Sequence, residues 1–113
     1  MDIVAKVQMT LRVAVLAPTP LESPRGNAVT VARVVRALRA RGLEVSVWEA
    51  AGGPEPLAEA RRMAPALVHA FHAYRAGPPG RALAEACRAP LVVTLTGTDV
   101  SEHLAGPSTA TVV

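Results

Sequence analysis

Residues 11–48 read LRVAVLAPTP (11–20), LESPRGNAVTVARVVRALRARG (21–42) and LEVSVW (43–48). The apolar, valine-rich run Leu11–Ala17 has the character of a strand covered on both faces. Pro18 and Pro20 end it, and Leu21–Gly26 follows as a polar loop. Asn27 is suited to cap a helix. Behind it Val31, Val34, Val35 and Leu38 repeat at helical spacing, while Arg33, Arg36 and Arg39 fall largely outside that stripe. Gly42 stands where a glycine ends a helix, and the arginines of the last turns suit its negative end. Glu44–Glu49 then alternates as a second strand. A strand, a helix and a parallel strand require a right-handed crossover, and ligands of such sheets sit beyond the carboxyl ends of the strands.

The pattern continues outward from this unit. Ala51–Pro56 reads as a loop, Leu57–Met63 as a helix stopped before Pro65, and Ala66–Phe71 as a third strand. Gly77–Gly80 reads as a loop, Arg81–Arg88 as a helix, and Leu91–Leu95 as a fourth strand opened by Pro90. Its end is the polar turn Thr96-Gly97-Thr98-Asp99, and Val100–Leu104 starts a short helix. Strands alternating with helices predict an α/β, doubly wound parallel sheet, Rossmann-like, in the order 2-1-3-4. The domain spans residues 11–105. Residues 1–10 read as a disordered extension, with Met9 a candidate start, and 106–113 (GPSTATVV) as an unstructured tail. The fourth strand is an apolar edge, and such edges pair with other chains.

The chain has 113 residues, enough for one small domain. Half are hydrophobic, which excludes a disordered composition. The net charge of +3 is carried almost wholly by arginine. It fits a solvated basic surface first and a peripheral contact with anionic lipid or phosphate second. Nucleic-acid binding is disfavoured, since no motif is present and only Trp48, Phe71 and Tyr74 could stack on bases. One cysteine, Cys87, leaves no internal disulfide and no multi-cysteine metal site. No apolar run spans a membrane and no signal peptide is recognisable, so a cytoplasmic location is expected.

Three places can carry chemistry. Gly26 and Asn27 stand at a helix N-terminus, where free N–H groups and the helix dipole favour an anion, although a glycine that simply enters a helix reads the same. His69 and His72 follow one another on the third strand, and alternation sends them to opposite faces, against shared metal ligation. His69, inside the strand, reads as a satisfied core histidine. His72, at the carboxyl end, reads as the functional one. The Thr96–Asp99 turn offers hydroxyls and N–H groups to a polyhydroxylated ligand, or else Asp99 merely caps the next helix. His103, one turn on, is a weaker candidate for the same cleft.

These stretches together resemble the N-terminal half of the family 4 retaining glycosyltransferases of the GT-B fold. Arg41–Val45 (RGLEV) matches that family's "RGHEV" helix end, Ala66–His72 its "DVVHAH", and Pro90–Asp99 its "PLVVTLHGTD". The family usually carries a histidine where this chain has Thr96. Its loop commonly has Gly-Gly where this chain has Arg25-Gly26-Asn27. Both departures are similar to the selenosugar synthases, which join a sugar nucleotide to selenophosphate. The resemblance implies an acceptor-side domain. His72 would be catalytic, with Gly26, Asn27, Thr96, Gly97, Thr98 and Asp99 binding substrate. It implies a nucleotide-sugar donor as substrate, no metal and no further cofactor. The donor is held mainly by a second, C-terminal Rossmann-like domain in that fold. The sequence ends before one, so a fragment is expected. The alternative is a self-contained flavodoxin-like binding module, but Ala17-Pro18-Thr19 gives it no acidic pocket after the first strand.

Overall fold

A computed structural model describes residues 11–18, 26–52 and 54–96. The expectations for residues 1–10, the loop 21–25, Gly97, Thr98, Asp99, His103 and the tail 106–113 lie outside the described residues. In chain order the elements are β1 (Arg12–Ala17), α1 (Gly26–Ala40), β2 (Glu44–Glu49), a 3₁₀ turn (Ala50–Gly52), α2 (Pro54–Arg62), β3 (Leu67–Phe71), α3 (Gly77–Cys87) and β4 (Leu91–Thr94). The four strands form one parallel sheet in the order β2-β1-β3-β4. The expected topology is therefore the observed one.

Handedness decides which face each helix covers. The chain steps one way from β1 to β2 and the other way from β2 to β3 and β4. Right-handed crossovers then put α1 on one face and α2 with α3 on the other. Val31 and Val35 of α1 pack there against Val13, Val15, Ala17, Val45 and Phe71 of the sheet. On the other face Ala60 of α2 and Leu83 and Ala84 of α3 pack against Ala14, Leu16, Val68 and Ala70 of the sheet. Every residue of Val13–Ala17 is buried, as a central strand demands. Each buried valine or leucine contributes about 1.5–3 kcal/mol.

Small residues let α3 approach the sheet. A side-chain carbon on Gly80 would stand 3.0 Å from Cβ of Ala70 and 3.3 Å from Cδ1 of Leu91. Gly42 ends α1 with φ +87°, the left-handed backbone that glycine adopts without steric cost.

The helix starts differ from expectation. Helix α2 begins at Pro54 rather than Leu57, and α3 at Gly77 rather than Arg81. In both cases prolines read as loop occupy the first turn, where no intrahelical N–H is required. Helix α1 begins at Gly26, so Asn27 lies inside its first turn rather than capping it. Strand β3 begins at Leu67, one residue later than expected, and β4 ends at Thr94, one residue earlier.

Candidate functional site

Parallel strands deliver all their carboxyl ends to one rim of the sheet. Here Pro18 follows β1, Ala50 follows β2, His72 follows β3 and Leu95-Thr96 follow β4. Helix α1 runs back toward β2's amino end, so its own N-terminus, Gly26-Asn27, stands at the same rim. The direction of crossover reverses between β1 and β3, which opens a crevice between their ends. Asn27 is half-buried there, with Ala28 buried behind it.

His72 organises the turn from β3 into α3. Its backbone is left-handed, with φ +87°, a conformation that an L side chain rarely takes and that marks local strain. Its N–H extends the β3–β4 ladder by donating to Thr94 O at 2.9 Å. Its carbonyl accepts from the N–H groups of Ala76 and Gly77, both at 3.1 Å. Its ring is fully buried. Nδ1 accepts from the backbone N–H of Tyr74 at 3.2 Å and of Arg75 at 3.1 Å. An atom that accepts two N–H donors carries no proton, so the neutral ring holds its proton on Nε2. The Tyr74 ring meets it edge-on, with centroids 6.4 Å apart.

His69 has the opposite character. It is half-buried, and its ring stacks on Phe71 with centroids 4.4 Å apart at 14°. That pairing follows from strand alternation, which puts residues two apart on one face. Nε2 of His69 lies 2.6 Å from Oγ1 of Thr94 on the neighbouring strand. Desolvation lowers its pKa below the ordinary histidine value, which favours the neutral ring at pH 7. The burial of the two histidines is thus the reverse of the sequence expectation. His69 is on the stretch of β3 and β4 beside α1 where Val92 stays exposed. His72 has left the strand and turned inward.

No family model, no curated protein and no solved structure matches this chain. The site must therefore be read from its own geometry. Thr96 is half-buried, and its hydroxyl oxygen is shielded from solvent. Gly26, Asn27, His72 and Thr96 are all brought to the carboxyl rim. Gly97, Thr98 and Asp99 continue from it outside the described residues. Among the described residues no group of three His, Cys, Asp or Glu side chains could hold a metal ion. Among them, too, no helix is long and apolar enough to cross a membrane.

Sequence reasoning passed over one concavity at the same rim. Beyond the carboxyl end of β2 lies a hollow of about 660 Å³, lined among others by Trp48, Glu49, Gly52, Pro56, Glu59 and Arg62. The signal was there in Trp48-Glu49 followed by Ala50–Gly53, an aromatic and a carboxylate at a strand end before a glycine pair. The indole N–H is already engaged, donating to Oγ of Ser46 at 2.9 Å.

Proposed function

We propose that this chain is the acceptor-side part of a GT-B glycosyltransferase, which moves a sugar from a nucleotide-sugar donor to an acceptor in a cleft between two Rossmann-like domains. The observation that carries the reading is positional. Gly26-Asn27, His72 and Thr96, which stand at the positions of the family's loop, "DVVHAH" and "PLVVTLHGTD" motifs, come from three different elements and lie at one rim of a sheet ordered β2-β1-β3-β4. A binding crevice belongs at that place in a doubly wound sheet.

The roles follow from accessibility. The first turn of α1 offers backbone N–H groups toward an anionic or hydroxylated ligand. Thr96, half-buried with its hydroxyl shielded, shapes the crevice wall at the end of β4. His72 is buried, so it acts through the turn it holds rather than by touching the acceptor. It is a positioning residue, fixing residues 73–76 and the start of α3 beside the crevice. A threonine in place of the family's larger histidine favours a small acceptor, and selenophosphate is the candidate acceptor of that kind. The protein would work in the cytoplasm with a nucleotide sugar as substrate, partnered by a C-terminal Rossmann-like domain. Its arginines would face solvent or an anionic lipid surface.

The experiment joins this chain to the Rossmann-like domain that the reading requires downstream in its gene. Purified protein is then assayed for transfer from nucleotide sugars to sugar and selenophosphate acceptors. Transfer should occur, and Asn27→Ala and Thr96→Val should each lower kcat/KM by about 10- to 100-fold with little change in melting temperature. A gene with no second Rossmann-like domain, or a joined protein that binds no nucleotide sugar, would overturn the reading.

A further inference from the structure

The hollow beside β2 lies on a finished edge of the sheet. Glu44 N–H donates to Leu11 O, so Glu44, Ser46 and Trp48 turn their backbone groups toward β1. Val45, Val47 and Glu49 turn theirs outward. The outward carbonyl of Val45 accepts from Nη2 of Arg39 at 2.8 Å, and a glutamate stands at each end of the strand. Capped carbonyls and edge charges stop a strand from recruiting another. The described chain leaves the sheet at β4, the opposite edge.

The walls of this hollow come from two elements. Strand β2 contributes Val47 and the half-buried Trp48 and Glu49, and α2 contributes Pro56, Glu59 and Arg62. With its N–H engaged by Ser46, Trp48 offers the hollow carbon surface rather than a donor. Val47 and Pro56 extend that apolar patch. Glu59 and Arg62 are three residues apart on one helix, a spacing at which opposite charges can pair. The comparable pair on α3, Arg81 and Glu85, closes at 3.0 Å. Glu59 and Arg62 stay open: among the described residues neither makes a hydrogen bond or an ion pair. Both are exposed along the hollow, and Glu49 adds a second carboxylate.

We propose that this hollow binds a free α-amino acid with an apolar side chain. Such a molecule carries its ammonium and its carboxylate on one carbon, so two side chains on one helical turn can hold both. The Arg62 guanidinium takes the carboxylate through paired N–H donors. The Glu59 carboxylate takes the ammonium, with the charge of Glu49 beside it. The apolar side chain lies on Trp48, Val47 and Pro56, out of water. A hollow of about 660 Å³ has room for it. A ligand with one charge alone would leave either Arg62 or Glu59 unmatched. Both anchors stay in contact with water, so binding is weak, with a dissociation constant of about 1 mM. The hollow lies outside the crevice between β1 and β3, and this inference is independent of the functional reading.

The test uses the full 113-residue chain, in which Trp48 is the single tryptophan, so its fluorescence reports this hollow. L-Leucine should change the Trp48 emission and saturate in the millimolar range. Isopentylamine, which is leucine without its carboxylate, and isocaproate, which is leucine without its ammonium, should each bind at least about 5-fold more weakly. Arg62→Ala and Glu59→Gln should each weaken leucine binding by at least about 5-fold. Both side chains are exposed, so far-UV circular dichroism should not change. If the emission is silent, amide chemical shifts of residues 47–49 and 59–62 decide the same question. Leucine and isopentylamine binding equally well would overturn the proposal. So would a leucine affinity indifferent to both variants, or chemical shifts that stay fixed up to the solubility limit of leucine.

Discussion

His69 and His72 lie three residues apart, yet they belong to different kinds of structure. His69 sits on a pleated strand, shares a face with Phe71, and shares a hydrogen bond with Thr94 of the next strand. His72 sits one residue past the same strand with a left-handed backbone and a fully buried ring. Strand alternation governs the first and has no authority over the second. Once the chain leaves the ladder, the turn into α3 decides where the ring goes. Burial of the ring is tolerable because two backbone N–H groups satisfy Nδ1.

The largest test of this contrast is His72→Ala. It strips the acceptor from two N–H groups and leaves a void where the ring was. Each unsatisfied N–H costs roughly 1–3 kcal/mol and the void adds to it, so a loss of about 3 kcal/mol in chemical denaturation is expected. His69→Ala removes one part-exposed hydrogen bond and a stack, and should cost about 1 kcal/mol. Equal losses at the two positions would erase the distinction.

Arg88 sharpens the contrast from another side. It too has a left-handed backbone, with φ 53° at the C-cap of α3, but its side chain is exposed. Arg88→Gly should therefore stabilise by about 0.5–1 kcal/mol, since glycine relieves the conformation. His72→Gly should still destabilise, because relief of the backbone does not replace the lost acceptor. Thermal melts of the two variants should move in opposite directions.

The smallest effect is the pH dependence from His69. Its folded pKa is lowered, so below the ordinary value of 6.5 the unfolded chain binds a proton that the folded chain refuses. Stability contributed by the neutral ring is present above pH 6.5 and is lost as pH falls from there toward the folded pKa. Denaturation curves across this window should show that slope. His69→Gln should flatten it.

Much of the fold was legible because its signals are periodic. The valines of Leu11–Ala17, the stripe from Val31 to Leu38 and the alternation of Val45 and Val47 each identify an element without tertiary information. Their order then leaves few topologies, and β2-β1-β3-β4 is among them. Helix starts were less legible. Pro54, Pro56, Pro78 and Pro79 break a helix in its interior and open one in its first turn, and composition alone does not say which. The gathering of Asn27, His72 and Thr96 at one rim was readable from strand ends. The inward turn of His72 was not, since a positive φ on a histidine has no sequence signature. The capping of β2 by Arg39 was equally hidden, for Arg39 reads as one more solvated arginine on a helix.

The imidazole of His72 carries the description of this site, and its nitrogen chemistry can be observed directly. A long-range proton–nitrogen spectrum of the folded chain at neutral pH should show His72 with Nδ1 unprotonated and its single proton on Nε2. The Tyr74 and Arg75 amides should exchange slowly with solvent. A proton on Nδ1, or amides at residues 74 and 75 that exchange like those of an open loop, would contradict a carboxyl rim built around a buried, backbone-bound histidine.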